Sequence, residues 1–184
     1  IALDVMSGDN GPSSAVSGAI KALQKIPDLK LILVGDEDII LQKINELDKG
    51  LRDKISIFHT KEYITMDDDI VNAIRSKKKS SMKITINAVK DGDAHACVSS
   101  GNTGALMSLS KIILKTIDGI NRPAICTSLP TKKGFVQVLD LGANVECDSN
   151  NLYQFSVMGS SIVQSLEISN NPKIGLLNIG SEEY

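Results

Sequence analysis

The chain has 184 residues, of which 42% are hydrophobic and 23% charged, with a formal charge of −2. That is enough apolar material for a real core, and it excludes a disordered chain; the small net charge argues against a nucleic-acid binder, which carries a strong basic excess. No run approaches the roughly 18–20 apolar residues of a membrane span, and the first residues show no signal-peptide pattern. Trp is absent and aromatics make up only 3%, so the core falls to Ile, Leu, Val, Ala and Met, a composition suited to buried parallel strands. Cys97, Cys126 and Cys147 are odd in number and lie outside any C-x-x-C pattern. They read as reduced thiols of a cytoplasmic protein, neither a disulfide framework nor a zinc site.

Apolar runs alternate with helical periodicity along the chain, the pattern of βα units in a mostly parallel sheet. A strand is predicted over Ile1–Met6, followed by the polar loop Ser7-Gly-Asp-Asn-Gly11 and a helix over Pro12–Lys25. Leu29–Val34 and Ile55–His59 read as strands, with a helix over Glu37–Lys49 between them. Helices over Asp68–Lys78 and Met82–Lys90 precede a strand over Ala94–Ser99. Gly50, Gly92 and Gly119 fall where helices are expected to stop.

The loop Ser99-Ser-Gly-Asn-Thr-Gly104 then opens a helix over Thr103–Thr116 that is apolar on nearly all sides, and so is expected to be buried. Ala124–Leu129 and Phe135–Leu141 are joined by too few residues for a parallel crossover and are expected to pair as an antiparallel hairpin, making the sheet mixed. A helix over Asn151–Ile168 and a strand over Lys173–Ile179 complete the pattern. Both ends look cut.

The chemistry is expected at the Ser99–Gly104 loop. A strand running into a glycine loop and then a helix presents unpaired N–H groups and the positive end of the helix dipole, and small polar residues add donors. The spacing is neither a P-loop nor G-x-G-x-x-G, which points to phosphate itself or a simple phosphoryl group. A tight βα turn with an Asn or Thr N-cap accounts for the same residues. Three more strands end in glycine-containing polar loops, at Ser7–Gly11, Gly142–Glu146 and Gly180–Glu183; four such loops at one carboxyl edge would converge on one cleft. Asp4, Asp9 and Asp140 could serve as acids or simply as turn formers, no carboxylate spacing indicates a metal, and His59 and His95 read as structural. The run Arg75, Lys77, Lys78, Lys79, Lys83 is either a solvated face or a docking site for an acidic partner.

Several segments together resemble the bacterial phosphate acyltransferases of phospholipid synthesis: Asp4-Val-Met-Ser-Gly-Asp-Asn-Gly-Pro12, Lys79-Ser-Ser-Met82, Val98–Met107, Gly119-Ile-Asn-Arg-Pro-Ala-Ile125, Leu129-Pro-Thr131, Leu139–Val145, Gln154-Phe155, Met158-Gly159 and Gly175–Gly180. Ser7, Ile70, His95 and Glu146 depart from the family's usual Gly, Pro, Asp and Asp. The resemblance implies a mixed, mostly parallel sheet in a three-layer α/β/α arrangement like that of the isocitrate and isopropylmalate dehydrogenases. It implies conversion of acyl-acyl carrier protein and inorganic phosphate to acyl phosphate, without cofactor or metal.

On this reading Asn102 and Thr103 are catalytic, while Ser99, Ser100, Gly101, Gly104, Asp9, Asn144 and Asn178 bind substrate. Lys77, Lys78 and Lys79 dock the carrier protein. A cytoplasmic homodimer is implied, peripheral at the inner face of the membrane, handing its product to a membrane glycerol-3-phosphate acyltransferase. Residues 1–184 then form the N-terminal portion. A lysine that the family pattern places beyond Tyr184 is missing, so this portion is expected to bind phosphate without turnover. Phosphotransacetylase-like transfer involving coenzyme A, or a non-catalytic phosphate-binding fragment, are the alternatives.

Overall fold

A computed structural model describes residues 1–178, which divide into two units, Ile1–Lys115 and the part from Thr116 onward. The first unit is built on a four-stranded parallel sheet in the order β3-β2-β1-β4, with β1 at Ala2–Asp4, β2 at Leu31–Gly35, β3 at Ile55–His59 and β4 at Cys97–Val98. Its helices are α1 (Gly11–Lys25), α2 (Glu37–Ile44), α3 (Lys49–Arg52), α4 (Ile70–Ser76), α5 (Ser81–Lys90) and α6 (Thr103–Ile113).

Strand alternation decides which helix each strand residue meets. Leu31 and Leu33 pack with Val16, Ala19 and Leu23 of α1 and Ile40 and Ile44 of α2. Ile32 packs instead with Ala2, Ala88 of α5 and Ala94. A further cluster joins Ile64, Ala73, Met82, Ile86, Ala105 and Leu109, so α4, α5 and α6 hold one another.

Element boundaries move where local hydrogen bonds compete with periodicity. The single helix expected over Glu37–Lys49 is two, because the Asp48 carboxylate accepts the Leu51 N–H at 3.1 Å and starts α3; Gly50 therefore lies inside a helix instead of ending one. The helix expected to reach Thr116 ends at Ile113, with Lys115 in the left-handed region at φ 64°. It is also less buried than its composition suggests: Ala105 and Leu109 are enclosed, but Ile112 is 63% exposed within the described residues.

The second unit contains the hairpin of β5 (Thr127–Thr131) and β6 (Gly134–Val138) and the helix α7 (Ser149–Ser165). The antiparallel pairing is as expected, with Leu129 opposite Val136, but the hairpin is a sheet of its own and the four-stranded sheet is wholly parallel. Asp148 and Asn151 form a capping box that starts α7 two residues before the periodicity does. Residues 173–178 lie in no strand, and Ile179, together with the loop 180–183, lies outside the described residues. No helix among the described residues is long and apolar enough to cross a membrane.

Candidate anion site at the β1–β4 switch point

The chain winds from β1 to β2 to β3 in one direction, then crosses back and places β4 on the other side of β1. Ligands of open α/β sheets bind where the winding reverses, outside the carboxyl ends of the two strands involved. Here those ends lead into the Val5–Asn10 and Ser99–Asn102 segments, two of the four loops singled out in the sequence.

The loops are held together from below by Asp4, which is fully buried at the end of β1. Its Oδ1 accepts the N–H groups of Met6 at 3.2 Å and Ser7 at 3.4 Å, and its Oδ2 accepts the Ser99 hydroxyl at 2.8 Å. Ser99 Oγ in turn accepts the Gly101 N–H at 3.2 Å, and the Ser100 hydroxyl donates to the Ser7 carbonyl at 3.1 Å. Both serine protons are thus spent on joining the loops. Ser99 and Ser100 position the site.

The two glycines have a packing role as well. A Cβ on Gly101 would lie 2.6 Å from Ser7 Cβ and 2.9 Å from Met82 Cε, and one on Gly104 would lie 2.6 Å from Ile70 Cδ1. The space they leave is filled by protein. Gly8, with φ at 95°, lets the first loop come against Ser100.

Asn102 is the N-cap of α6. Its Oδ1 accepts the Ala105 N–H at 3.0 Å and its Nδ2 donates to the Met66 carbonyl at 3.2 Å. The first two amides of the helix, those of Thr103 and Gly104, have no hydrogen-bond partner among the described residues, and Thr103 is exposed. These amides, with the helix dipole behind them, are what the loop offers an anion. Asp9 is exposed on the neighbouring loop. Cys97 lies on β4 just before the loop, and burial pushes its thiol up from its ordinary value, away from a nucleophilic thiolate.

A third element reaches the same edge. α5 packs on β1, β2 and β4 and leads directly into β4, so it runs against the strands and starts at their carboxyl ends. The segment after β3 fixes its start. Glu62 accepts the Lys79 N–H through Oε1 at 2.6 Å and the Ser81 N–H through its carbonyl at 2.8 Å, and the Thr60 hydroxyl donates to the Lys79 carbonyl at 2.7 Å. Ser80 and Ser81 are absent from the site as read from the sequence, although a Ser-Ser pair ahead of a helical pattern is an N-cap signal.

Lys77 is half-buried and its ammonium pairs with the Asp68 carboxylate at 2.5 Å, whereas Lys78 and Lys79 are exposed. Asn144 and Asn178 belong to the second unit. Asn144 Nδ2 donates to the Pro123 carbonyl at 3.0 Å and to Asp140 Oδ2 at 3.1 Å, and Asn178 is exposed outside any regular element. His59 has a structural role, its Nδ1 accepting the Glu37 N–H at 3.1 Å.

A family model described as "Fatty acid synthesis protein" matches residues 1–184. A phosphate acyltransferase of Methylococcus capsulatus is 48% identical over all of this chain and 54% of its own length. One from Coxiella burnetii is 52% identical with the same coverage, and one from a Janthinobacterium species is 48% identical over all of this chain and 51% of its own length. The chain therefore spans about half the length of the curated relatives it matches. Matched by the family model from its first residue to its last, the chain belongs to the fatty acid synthesis protein family.

Proposed function

We propose that this chain supplies the phosphate-binding part of an acyltransferase that makes acyl phosphate from inorganic phosphate and the thioester of an acyl carrier protein. The observation that carries the reading is the pair of unbonded amides, Thr103 and Gly104, at the start of an eleven-residue helix on the sheet's switch point. Family membership and relatives named phosphate acyltransferase support the same chemistry.

In the reaction a phosphate oxygen bonds to the thioester carbonyl carbon, the carbonyl oxygen takes up negative charge, and the C–S bond then breaks with its electron pair leaving on sulfur. The nucleophile is a substrate, so the protein needs no activated Ser or Cys. Its task is to hold phosphate in attack geometry and to stabilise the oxyanion. Thr103 and Gly104 bind phosphate through their amides. Asn102 and the Asp4–Ser99 pair keep those amides aimed.

The acidic carrier docks on Lys78 and Lys79, Lys77 being engaged by Asp68. The three-layer dehydrogenase-like arrangement, the homodimer, the peripheral membrane association and the hand-over of acyl phosphate rest on the family resemblance. In the full protein that carries this chain, Gly104→Val, whose side chain would collide with Ile70 and displace the start of α6, is expected to weaken phosphate binding by about 10²-fold through loss of the two aligned amides. Reversing Lys78 and Lys79 to Glu is expected to raise KM for the carrier thioester in a salt-dependent way and to spare a coenzyme A thioester. Phosphate kinetics unchanged in the first variant would sink the site; equal responses of the two thioesters would sink the docking face.

A further inference from the structure

The start of α5 holds two hydroxyl groups that the fold leaves unused. Ser80 is the N-cap residue and has the extended backbone of a cap, φ −61° and ψ 145°, yet its side chain makes no capping hydrogen bond. Ser80 and Ser81 are both completely buried, and neither Oγ has a hydrogen-bond partner among the described residues. A third such hydroxyl belongs to Ser7, 2% exposed, in the β1–α1 loop. Met82 links them in the fold. Ser80 and Ser81 precede it in the chain, and Ser7 and the Met82 terminal methyl flank the same face of Gly101.

A buried hydroxyl without a partner is costly, and three of them, two adjacent at the α5 start and one in the β1–α1 loop, are far from the usual satisfaction of buried polar groups. The amides of Met82 and Lys83, second and third in the helix, are likewise unbonded among the described residues. The helix is ten residues long and its dipole points the same way as that of α6, toward the carboxyl edge of the sheet. Nearby charge is mixed, with Lys79 exposed, Lys83 half-exposed and the Glu62 carboxylate bound to the Lys79 N–H.

The geometry points to a second wall of the anion site, in which Ser80 and Ser81 at the α5 start, with Ser7 opposite, donate to an oxygen of the phosphate that the α6 amides hold. This rests on the phosphate-binding reading and adds the residues that would enclose the ion. Met82, unbranched and with the softest rotamers in the wall, is the side chain that yields to let the oxygen reach the hydroxyls. An enclosed ion is shielded from water, which strengthens each of these contacts.

The test is to measure inorganic phosphate affinity and phosphate-free melting in the full protein that carries this chain, for wild type, Ser80→Ala, Ser81→Ala and Gly104→Val. Each alanine is expected to weaken phosphate binding by about 10- to 100-fold, the effect of one hydrogen bond to a charged acceptor. Phosphate-free melting is expected to stay or rise, since no internal bond is removed. Alanine variants that melt lower without phosphate would show that the hydroxyls serve the fold, and would overturn the inference. Undiminished phosphate affinity in both alanine variants, with loss in Gly104→Val, would overturn the inference and leave the α6 site standing. Absence of phosphate binding by wild type would overturn both.

Discussion

Asp4 determines what its neighbours can do. The Asp4 carboxylate, buried beneath the loops, is held by three hydrogen-bond donors, and one of them is the Ser99 hydroxyl. The serine that looks like a ligand in the sequence is therefore a strut. The glycines divide in the same way. In Gly101→Ala the new methyl would meet Ser7 Cβ at 2.6 Å and Met82 Cε at 2.9 Å, so the loop must shift; in Gly104→Ala it would meet the far end of the Ile70 side chain at 2.6 Å and, at ordinary contact distance, Asn102 Oδ1. Gly101→Ala is expected to cost about 1–3 kcal/mol by overpacking, and Gly104→Ala clearly less, as read from urea midpoints. Equal costs would mean the loops are not interlocked at Gly101. That glycine belongs at both places is legible in the sequence. Its reason is not, because nothing in a local pattern says that residue 7 will lie against residue 101.

At the scale of elements the sequence is a good guide to what exists and a poor one to where it ends. β1 and β4 look like six-residue strands but pair over three and two residues. Val5 shows why: it is fully buried beyond the last paired residue, so apolar text continues after the ladder stops. The short segment before α4 is organised by one charge pair. The Lys77 ammonium, hydrogen-bonded to Asp68, holds that carboxyl below its ordinary range, helped by the Thr65 N–H. A carboxylate with a lowered pKa in the fold adds stability that is present above the usual carboxylate range and lost as pH falls through its lowered value. Acidification is therefore expected to loosen residues 65–77 before the sheet, seen as early amide exchange at Thr65. Asp68→Asn should remove that acid-dependent step. If Thr65 exchanges with the same acid profile in both proteins, the pair does not organise the segment.

The whole molecule divides so that everything proposed for phosphate falls within Ile1–Lys115. That stretch contains all four parallel strands and the three buried clusters formed by α1, α2, α4, α5 and α6. Residues 1–115 alone are expected to unfold cooperatively and to bind phosphate, without making acyl phosphate; calorimetry and a phosphate titration check this. Non-cooperative melting would show that the first unit depends on the rest of the chain.

The placement of β1 between β2 and β4 also sets an order in time. Its partner Ile32 follows Ala2 closely along the chain, whereas the contacts of Asp4 with Ser99 and of Ser7 with Ser100 span 95 and 93 residues. Closing so long a stretch is slow and entropically unfavourable until the intervening helices have condensed. The first strand of this stretch is thus among the last to acquire both neighbours, and the cradle that Asp4 and Ser99 close is completed late in folding. An ion held there selects chains that have finished.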